Sequence, residues 1–157
     1  MITLVCSTPT PWPIWLASDE KDDNEQRDQS GGIPQRDLGR LRVLIVEDEF
    51  FISLNTETML EEFGHVVVGT AISADQAVRL AEQERPDVVL MDIRLIGARD
   101  GIDAAKEIYA KFDLRSIFVT ANTDPHTKIR ARDANPLGFI EKPLTEERLK
   151  SALEALT

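Results

Sequence analysis

The apolar run of residues 88–91 is followed without a break by Asp92. Four consecutive apolar residues are typical of a buried strand, and a strand interior excludes an unpaired charge. We therefore expect Asp92 just past the end of that strand. Three other short apolar runs also end in polar residues, which are Glu47 with Asp48, Thr120, and Glu141 with Lys142. If these strands are parallel neighbours, their polar groups meet at one edge of the sheet.

Three carboxylates, a hydroxyl and an ammonium in one crevice suggest phosphoryl chemistry. Carboxylates that lie close together repel one another, so they either share a proton or recruit a cation. Because the set contains only oxygen ligands and no histidine, a hard ion such as Mg²⁺ is the expected cofactor. Mg²⁺ and Lys142 would neutralise charge on a transferring phosphoryl group, and Thr120 would hydrogen-bond one of its oxygens. Asp92 is the expected nucleophile, with a phosphoaspartate as product.

Strand and helix patterns alternate from Leu41 onwards, and these elements must position the polar groups. A further strand is predicted at residues 65–69, and Ser73 with Gln76 forms a capping pair that predicts the start of a helix. Apolar residues at helical spacing follow four of the strands, and Asp124 with Pro125 predicts the start of a short polar helix after the strand at residues 116–120. Five strands alternating with five helices through short loops predict an α/β fold, a doubly wound parallel sheet with helices on both faces.

Composition limits the class of protein. The 157 residues with 42% hydrophobic content fit one domain with a single core. The net charge of −10 disfavours nucleic acid as a partner. Cys6 is the one cysteine, which excludes a disulfide framework within the chain and favours a reducing, cytoplasmic setting. Since no apolar run approaches the ~20 residues that cross a bilayer, no membrane partner is expected.

The first forty residues differ in composition from the rest. They contain four prolines and an acidic polar run over residues 19–28. We interpret residues 1–40 as a mostly disordered extension and residues 41–157 as the folded domain. Trp12 and Trp15 either are exposed in this extension or belong to a segment that docks on a surface.

Four blocks of the sequence resemble the signature blocks of the receiver domain of two-component response regulators. They occur in the order and spacing of that family and span residues 42–156. The blocks are residues 43–49, 90–95, 117–121 and 138–143. One block alone would be weak evidence, whereas four within a five-fold strand and helix alternation are specific. The resemblance implies a CheY-like, flavodoxin-like sheet with strand order 2-1-3-4-5.

The resemblance also implies phosphate-binding and switch roles. Asp92 matches the phosphoacceptor of the family. Thr120, Ala121 and Lys142 match the residues that bind the phosphoryl group. Thr120 and Phe139 match the pair that changes position on phosphorylation. For Phe139 a core aromatic is the simpler explanation, and Thr120 is equally well explained as a β-branched strand residue.

The metal site and the partners are implied in the same way. Glu47, Asp48, Asp92 and the backbone carbonyl of Arg94 match the Mg²⁺ ligands. A sensor histidine kinase or a histidine phosphotransfer protein would donate the phosphoryl group in a bacterial cytoplasm. No activity is expected beyond this Mg²⁺-dependent phosphorylation and autodephosphorylation. Only fifteen residues follow Lys142, so we expect a stand-alone receiver whose output is phosphorylation-dependent protein–protein interaction.

Two features depart from the pattern of the family. Ile96 stands where a proline is usual, and Gly101 comes nine rather than eight residues after Asp92, which makes the intervening loop one residue longer than expected. Arg94 and Asn122 lie two residues beyond Asp92 and Thr120 in sequence, and both should influence the lifetime of the phosphoryl group.

Three alternatives stay open at this point. The chain could be an adaptor whose binding surface is indifferent to phosphorylation, or a sink that drains phosphoryl groups from a kinase. A Mg²⁺-dependent phosphatase with an aspartyl nucleophile is disfavoured, because Arg94 stands where such enzymes usually have a second aspartate. Pairing of two copies through the fourth helix, fifth strand and fifth helix is also left open.

Overall fold

The computed structural model describes residues 39–121 and 124–156. Strands and helices alternate five times within them. The elements are β1 (Arg42–Val46), α1 (Phe50–Glu62), β2 (Val66–Ala71), α2 (Ala74–Glu84), β3 (Val88–Asp92), α3 (Gly101–Phe112), β4 (Ser116–Thr120), α4 (Pro125–Ala131) with a following 3-10 turn (Arg132–Ala134), β5 (Gly138–Glu141) and α5 (Glu146–Glu154). No described helix is long and apolar enough to span a membrane.

Some of the sequence predictions fall on residues that the structure does not describe. The proposed extension at residues 1–40, with Cys6, Trp12 and Trp15, lies outside the described part except for its last two residues. Asn122 also lies outside it. These interpretations stay predictions.

The five strands form one parallel sheet in the order β2-β1-β3-β4-β5, which confirms the predicted fold and strand order. The registers align the strand ends. Val46 lies beside Met91, and Asp92 lies beside Val119. Because parallel strands all end on the same side, the side chains that follow or end them share one border of the sheet, which we call the C-terminal edge.

Helices cover both faces of the sheet. In β1, Leu44 and Val46 belong to a core cluster with α2 and α3, whereas Val43 and Ile45 belong to a cluster with α1 and α5. All four side chains are buried. A strand covered on both faces has no polar position, which explains the unbroken apolar runs of the sequence. The strands that lead to the C-terminal edge are therefore packed on both faces.

The local signals set the helix and strand boundaries. The Oγ atom of Ser73 accepts a hydrogen bond from the backbone N–H of Gln76 at 3.3 Å, so the predicted cap does start α2. The second strand is displaced from its prediction at residues 65–69. It omits His65, whose Nδ1 accepts from the backbone N–H of Leu41. It extends to Ala71, because pairing with β1 continues to Val46 after an irregularity in register.

Candidate functional site

Asp92 lies at the middle of the C-terminal edge as the last residue of β3. The expectation that it lies just past the strand was wrong, since its backbone pairs with Val119 and only 6% of the residue is exposed. A strand tolerates this buried carboxylate because both oxygens have donors. The Oδ1 atom accepts from the backbone N–H of Arg94 at 3.1 Å, and Oδ2 accepts from Lys142 at 2.8 Å.

Lys142 joins the two most buried acids of the edge. Its Nζ atom donates to Oε2 of Glu47 at 2.9 Å as well as to Asp92, and its side chain is 18% exposed. Burial works against the charge of Lys142, but the hydrogen bonds to Asp92 and Glu47 outweigh it and raise the pKa of Lys142. Burial also raises the pKa of Glu47, with the charge of Asp92 adding to the effect and the hydrogen bond from Lys142 opposing it.

Asp48 completes a cluster of three carboxylates. Glu47, Asp48 and Asp92 each offer one oxygen, and these atoms all lie within 4.8 Å of one another. Three carboxylates against the one ammonium of Lys142 leave a local excess of two negative charges. A set of oxygen donors with this excess charge fits a hard divalent cation such as Mg²⁺.

The neighbouring strands bring the predicted hydroxyl to the same edge. Thr120 ends β4 and is buried. Its carbonyl oxygen accepts from the backbone N–H of Lys142 at 2.8 Å, which ties the end of β4 to the residue that follows β5. Ala121 comes next in the chain and is exposed. The structure therefore gathers the predicted acids, hydroxyl and amine at one edge.

Phe139 does not belong to this polar cluster. It lies within β5, is half-buried, and stacks on Phe118 with the ring centroids 5.4 Å apart. The Nζ atom of Lys128, on α4, lies 6.0 Å from the centroid of the Phe139 ring. The Phe139 ring thus lies between the core residue Phe118 and the side chain of Lys128 on α4.

The loop between β3 and α3, residues 93–100, turns directly beside Asp92. Its two ends are joined by a hydrogen bond of 2.9 Å from the backbone N–H of Gly101 to the carbonyl of Ile93. A Cβ atom on Gly101 would lie 1.9 Å from the carbonyl oxygen of Asp92, so only glycine fits there. Asp100 caps α3 by accepting from the backbone N–H of Asp103.

Sequence reasoning missed two exposed aromatics next to the acids. Phe50 and Phe51 begin α1, are 68% and 82% exposed, and meet edge to face at 5.6 Å. Leu54 adds a third exposed apolar side chain one turn later. The available signal was their position outside the apolar stripe that buries Met59 and Leu60.

Residues 43–154 match the family profile described as "Response regulator receiver domain". The chain belongs to this family. The chain is 42% identical over 113 residues to the transcriptional regulatory protein PdtaR of Mycobacterium tuberculosis. The aligned region covers 72% of this chain and 55% of PdtaR. It is 32% identical over 112 residues to the phyllosphere-induced regulator PhyR of Methylorubrum extorquens, covering 71% of this chain and 41% of PhyR. The chain thus spans about half the length of these relatives.

Solved receiver structures have the same fold. The signal receiver domain of a modulated diguanylate cyclase from Desulfovibrio desulfuricans superposes with a TM-score of 0.69 at 37% identity, over 74% of this chain and 92% of that one. The response regulator domain of Thermotoga maritima CheB gives 0.63 at 31% identity, over 74% and 90%. An anti-anti-sigma factor PhyR from Bartonella quintana gives 0.61 at 32% identity, over 74% and 48%.

Proposed function

We propose that this receiver accepts a phosphoryl group on Asp92 from a sensor histidine kinase or a histidine phosphotransfer protein. The observation that carries the proposal is the environment of the Asp92 carboxylate. It is buried, oriented through both oxygens by Arg94 and Lys142, and placed within 4.8 Å of the ligand oxygens of Glu47 and Asp48. Such an orientation presents one carboxylate oxygen to an incoming phosphorus atom.

Mg²⁺ is the cofactor that this donor set fits. Glu47, Asp48, Asp92 and the backbone carbonyl of Arg94 would hold it. When bound, the ion supplies positive charge against the oxygens of the phosphoryl group. The excess negative charge of the three carboxylates supports this assignment, because without a cation the site would repel a phosphate.

The chain's own residues would then receive the phosphoryl group. As the phosphorus–oxygen bond to Asp92 forms, the phosphorus–nitrogen bond of a phosphohistidine donor breaks and the imidazole leaves. The Nζ atom of Lys142 already donates to Oδ2 of Asp92 and can turn to a phosphoryl oxygen. The hydroxyl of Thr120 and the backbone N–H of Ala121, at the end of the adjacent strand, would donate to the other oxygens. Hydrolysis returns the free carboxylate, and no further reaction is proposed.

A donor protein needs a surface beside the site, and α1 provides one. Phe50, Phe51 and Leu54 form an exposed apolar surface immediately after Glu47 and Asp48. Exposed aromatic pairs of this kind mark protein interaction sites. Their position supports approach of the donor over the N-terminal turn of α1.

The output is proposed to be a protein interaction controlled by phosphorylation, in the cytoplasm. Movement of Thr120 toward the phosphoryl group and of Phe139 toward the core would alter the surface of α4, β5 and α5. The contact between Lys128 and the Phe139 ring supports this route. One related protein is named an anti-anti-sigma factor, which supports a protein as target. A homodimer through the same surface is a second outcome of this change.

The test is phosphorylation by a small donor. With Mg²⁺ and acetyl phosphate the wild type should gain the mass of one phosphoryl group, and with beryllofluoride it should show shifted amide signals around Thr120. Asp92→Asn should show neither change, whereas Asp113→Asn, a surface variant with the same loss of charge, should behave as the wild type. A wild type that gives no adduct, or an Asp92→Asn protein that still responds, would overturn the proposal.

An adaptor that ignores phosphorylation is the second candidate. The loop at residues 93–100, which is one residue longer than expected and borders Asp92, favours it, because this loop determines how a phosphoryl donor reaches the site. It predicts equal capture of a partner by the wild type and by Asp92→Ala. A phosphate sink instead predicts rapid phosphorylation with no change in partner capture.

A further inference from the structure

Arg99 lies near the C-terminal end of the loop at residues 93–100. We call this whole loop the phosphoacceptor loop. Its Nη1 atom donates to Oδ1 of Asp75 on α2 at 2.8 Å. Its Nη2 atom donates to Oε2 of Glu107 at 2.5 Å and to the carbonyl of Asp103 at 3.4 Å, both on α3. One guanidinium therefore ties the loop to two helices on the same face of the sheet.

The middle of the phosphoacceptor loop has little other support. Leu95 packs partly against the core, but Ile96 is 72% exposed and Gly97 has a φ angle of +126°. A glycine in place of a restricted residue widens the range of conformations that a loop can adopt. Ile96 also stands at the position where a proline was expected. An isoleucine does not fix the φ angle as a proline would, so the conformation of the loop depends on its side-chain contacts.

We infer that Arg99 is a positioning residue for the phosphoacceptor site. It restrains the loop from α2 and α3, while Arg130 on α4 donates to Oδ2 of Asp100 at 2.7 Å and restrains the last residue of the loop from a third helix. By fixing the return of the chain toward Gly101, it fixes the backbone of Arg94, whose N–H orients Asp92 and whose carbonyl is the proposed metal ligand. This inference rests on the proposed function. An arginine suits the task because its planar guanidinium presents donors in a fixed geometry, so that Nη1 and Nη2 can bind carboxylates on two different helices.

Lys111→Gln is the matched control for Arg99→Gln. Lys111 pairs with the same Glu107 at 2.6 Å, but it lies in the last turn of α3 and does not touch the loop. Both variants remove one positive charge from the same carboxylate. A purely electrostatic effect would tighten Mg²⁺ binding in both variants, and more in Arg99→Gln because Arg99 lies in the loop beside Asp92, since the site becomes more negative.

The Mg²⁺ dissociation constant should separate the two variants. Titrating each protein with Mg²⁺ and following the amide signals of Asp92 and Arg94, we expect Arg99→Gln to bind about tenfold more weakly than the wild type, the lower end of the effect of removing an outer-shell partner. Lys111→Gln should bind as tightly as the wild type or slightly more tightly. Arg99→Lys, which can keep one carboxylate, should fall between Arg99→Gln and the wild type.

Amide hydrogen exchange in metal-free protein gives a second readout. Residues 94–98 should exchange faster in Arg99→Gln than in Lys111→Gln, with unchanged exchange in the central strands. Equal Mg²⁺ affinity and equal exchange in the two variants would overturn the inference, even if Asp92 is phosphorylated normally. A wild type that forms no phosphoryl adduct would instead overturn the proposed function, and faster loop exchange in Arg99→Gln would then still support the restraint.

Discussion

The two ends of the sheet use the same residue types in different ways. At the C-terminal edge, Lys142 pairs with Glu47 and Asp92, and its side chain is 18% exposed. At the opposite edge, Arg42 begins β1 and meets Glu84 with a side chain that is 47% exposed. The buried set has lost most of its solvent and holds a charge imbalance, whereas the exposed set is screened by water. Burial, rather than residue type, distinguishes a chemical site from a surface ion pair.

Removing the cation from each edge should give the largest difference. Lys142→Met leaves Glu47 and Asp92 buried without their shared donor, so we expect the free energy of unfolding to fall by about 3 kcal/mol at neutral pH without Mg²⁺. Arg42→Met removes an exposed pair and should cost less than about 1 kcal/mol. Urea denaturation of both variants measures the difference. Adding Mg²⁺ should restore part of the loss in Lys142→Met, and equal losses in the two variants would show that burial of the site contributes nothing.

The second largest difference in stability is expected between alanine substitutions of glycines at the two ends of the sheet. Gly101→Ala places a methyl group against the backbone carbonyl of Asp92, so we expect a loss of about 2 kcal/mol in unfolding free energy. Gly138 begins β5, and a Cβ atom there would meet nothing within 4 Å. Gly138→Ala should therefore leave stability nearly unchanged. A Gly101→Ala protein as stable as Gly138→Ala would mean that α3 can move away from β3 without cost.

The sequence was sufficient to predict which polar residues meet at the C-terminal edge, but not the contacts that hold the neighbouring loop in place. The acids and Lys142 follow apolar runs, and a parallel sheet must bring strand ends together whatever the details of packing. The close approach at Gly101 and the double pairing of Arg99 depend on the relative placement of helices, which no local pattern encodes. The exposure of Phe51 had a weaker signal, since only its position outside the stripe that buries Met59 and Leu60 indicated it.

The two edges should also respond to pH in opposite directions. Burial lowers the pKa of His65, near the start of β2, whereas burial raises the pKa of Glu47. The neutral His65 is favoured by folding, so its contribution is complete above pH 6.5 and is lost as the pH falls through 6.5 toward the lowered value. The protonated Glu47 is favoured, so its contribution is present below pH 4.5 and is lost as the pH rises through the raised value.

The free energy of unfolding, measured across this pH range in metal-free protein, tests both directions of pH dependence. Between pH 7.5 and 5.5, His65→Gln should lose less stability than the wild type, because the residue that resists protonation is gone. In the wild type, Glu47 should make stability fall as the pH rises above 4.5. Glu47→Gln should remove this fall. Both differences should be smaller than the effects of Lys142→Met and Gly101→Ala. A His65→Gln protein with the same pH profile as the wild type would show that this histidine titrates normally.

The smallest effect is expected from a buried hydroxyl at the end of the sheet away from the site. Ser116 begins β4 and is 1% exposed, and its Oγ has no hydrogen-bond partner among the residues that the structure describes. Ser116→Ala removes that unsatisfied group and should raise the free energy of unfolding by about 0.5 kcal/mol. Ser53→Ala is the control, since Oγ of Ser53 donates to the carbonyl of Phe50 at 2.9 Å and its removal should not stabilise. If Ser116→Ala is destabilising instead, the hydroxyl has a partner such as a buried water, and polar groups are then satisfied equally well at both ends of the sheet.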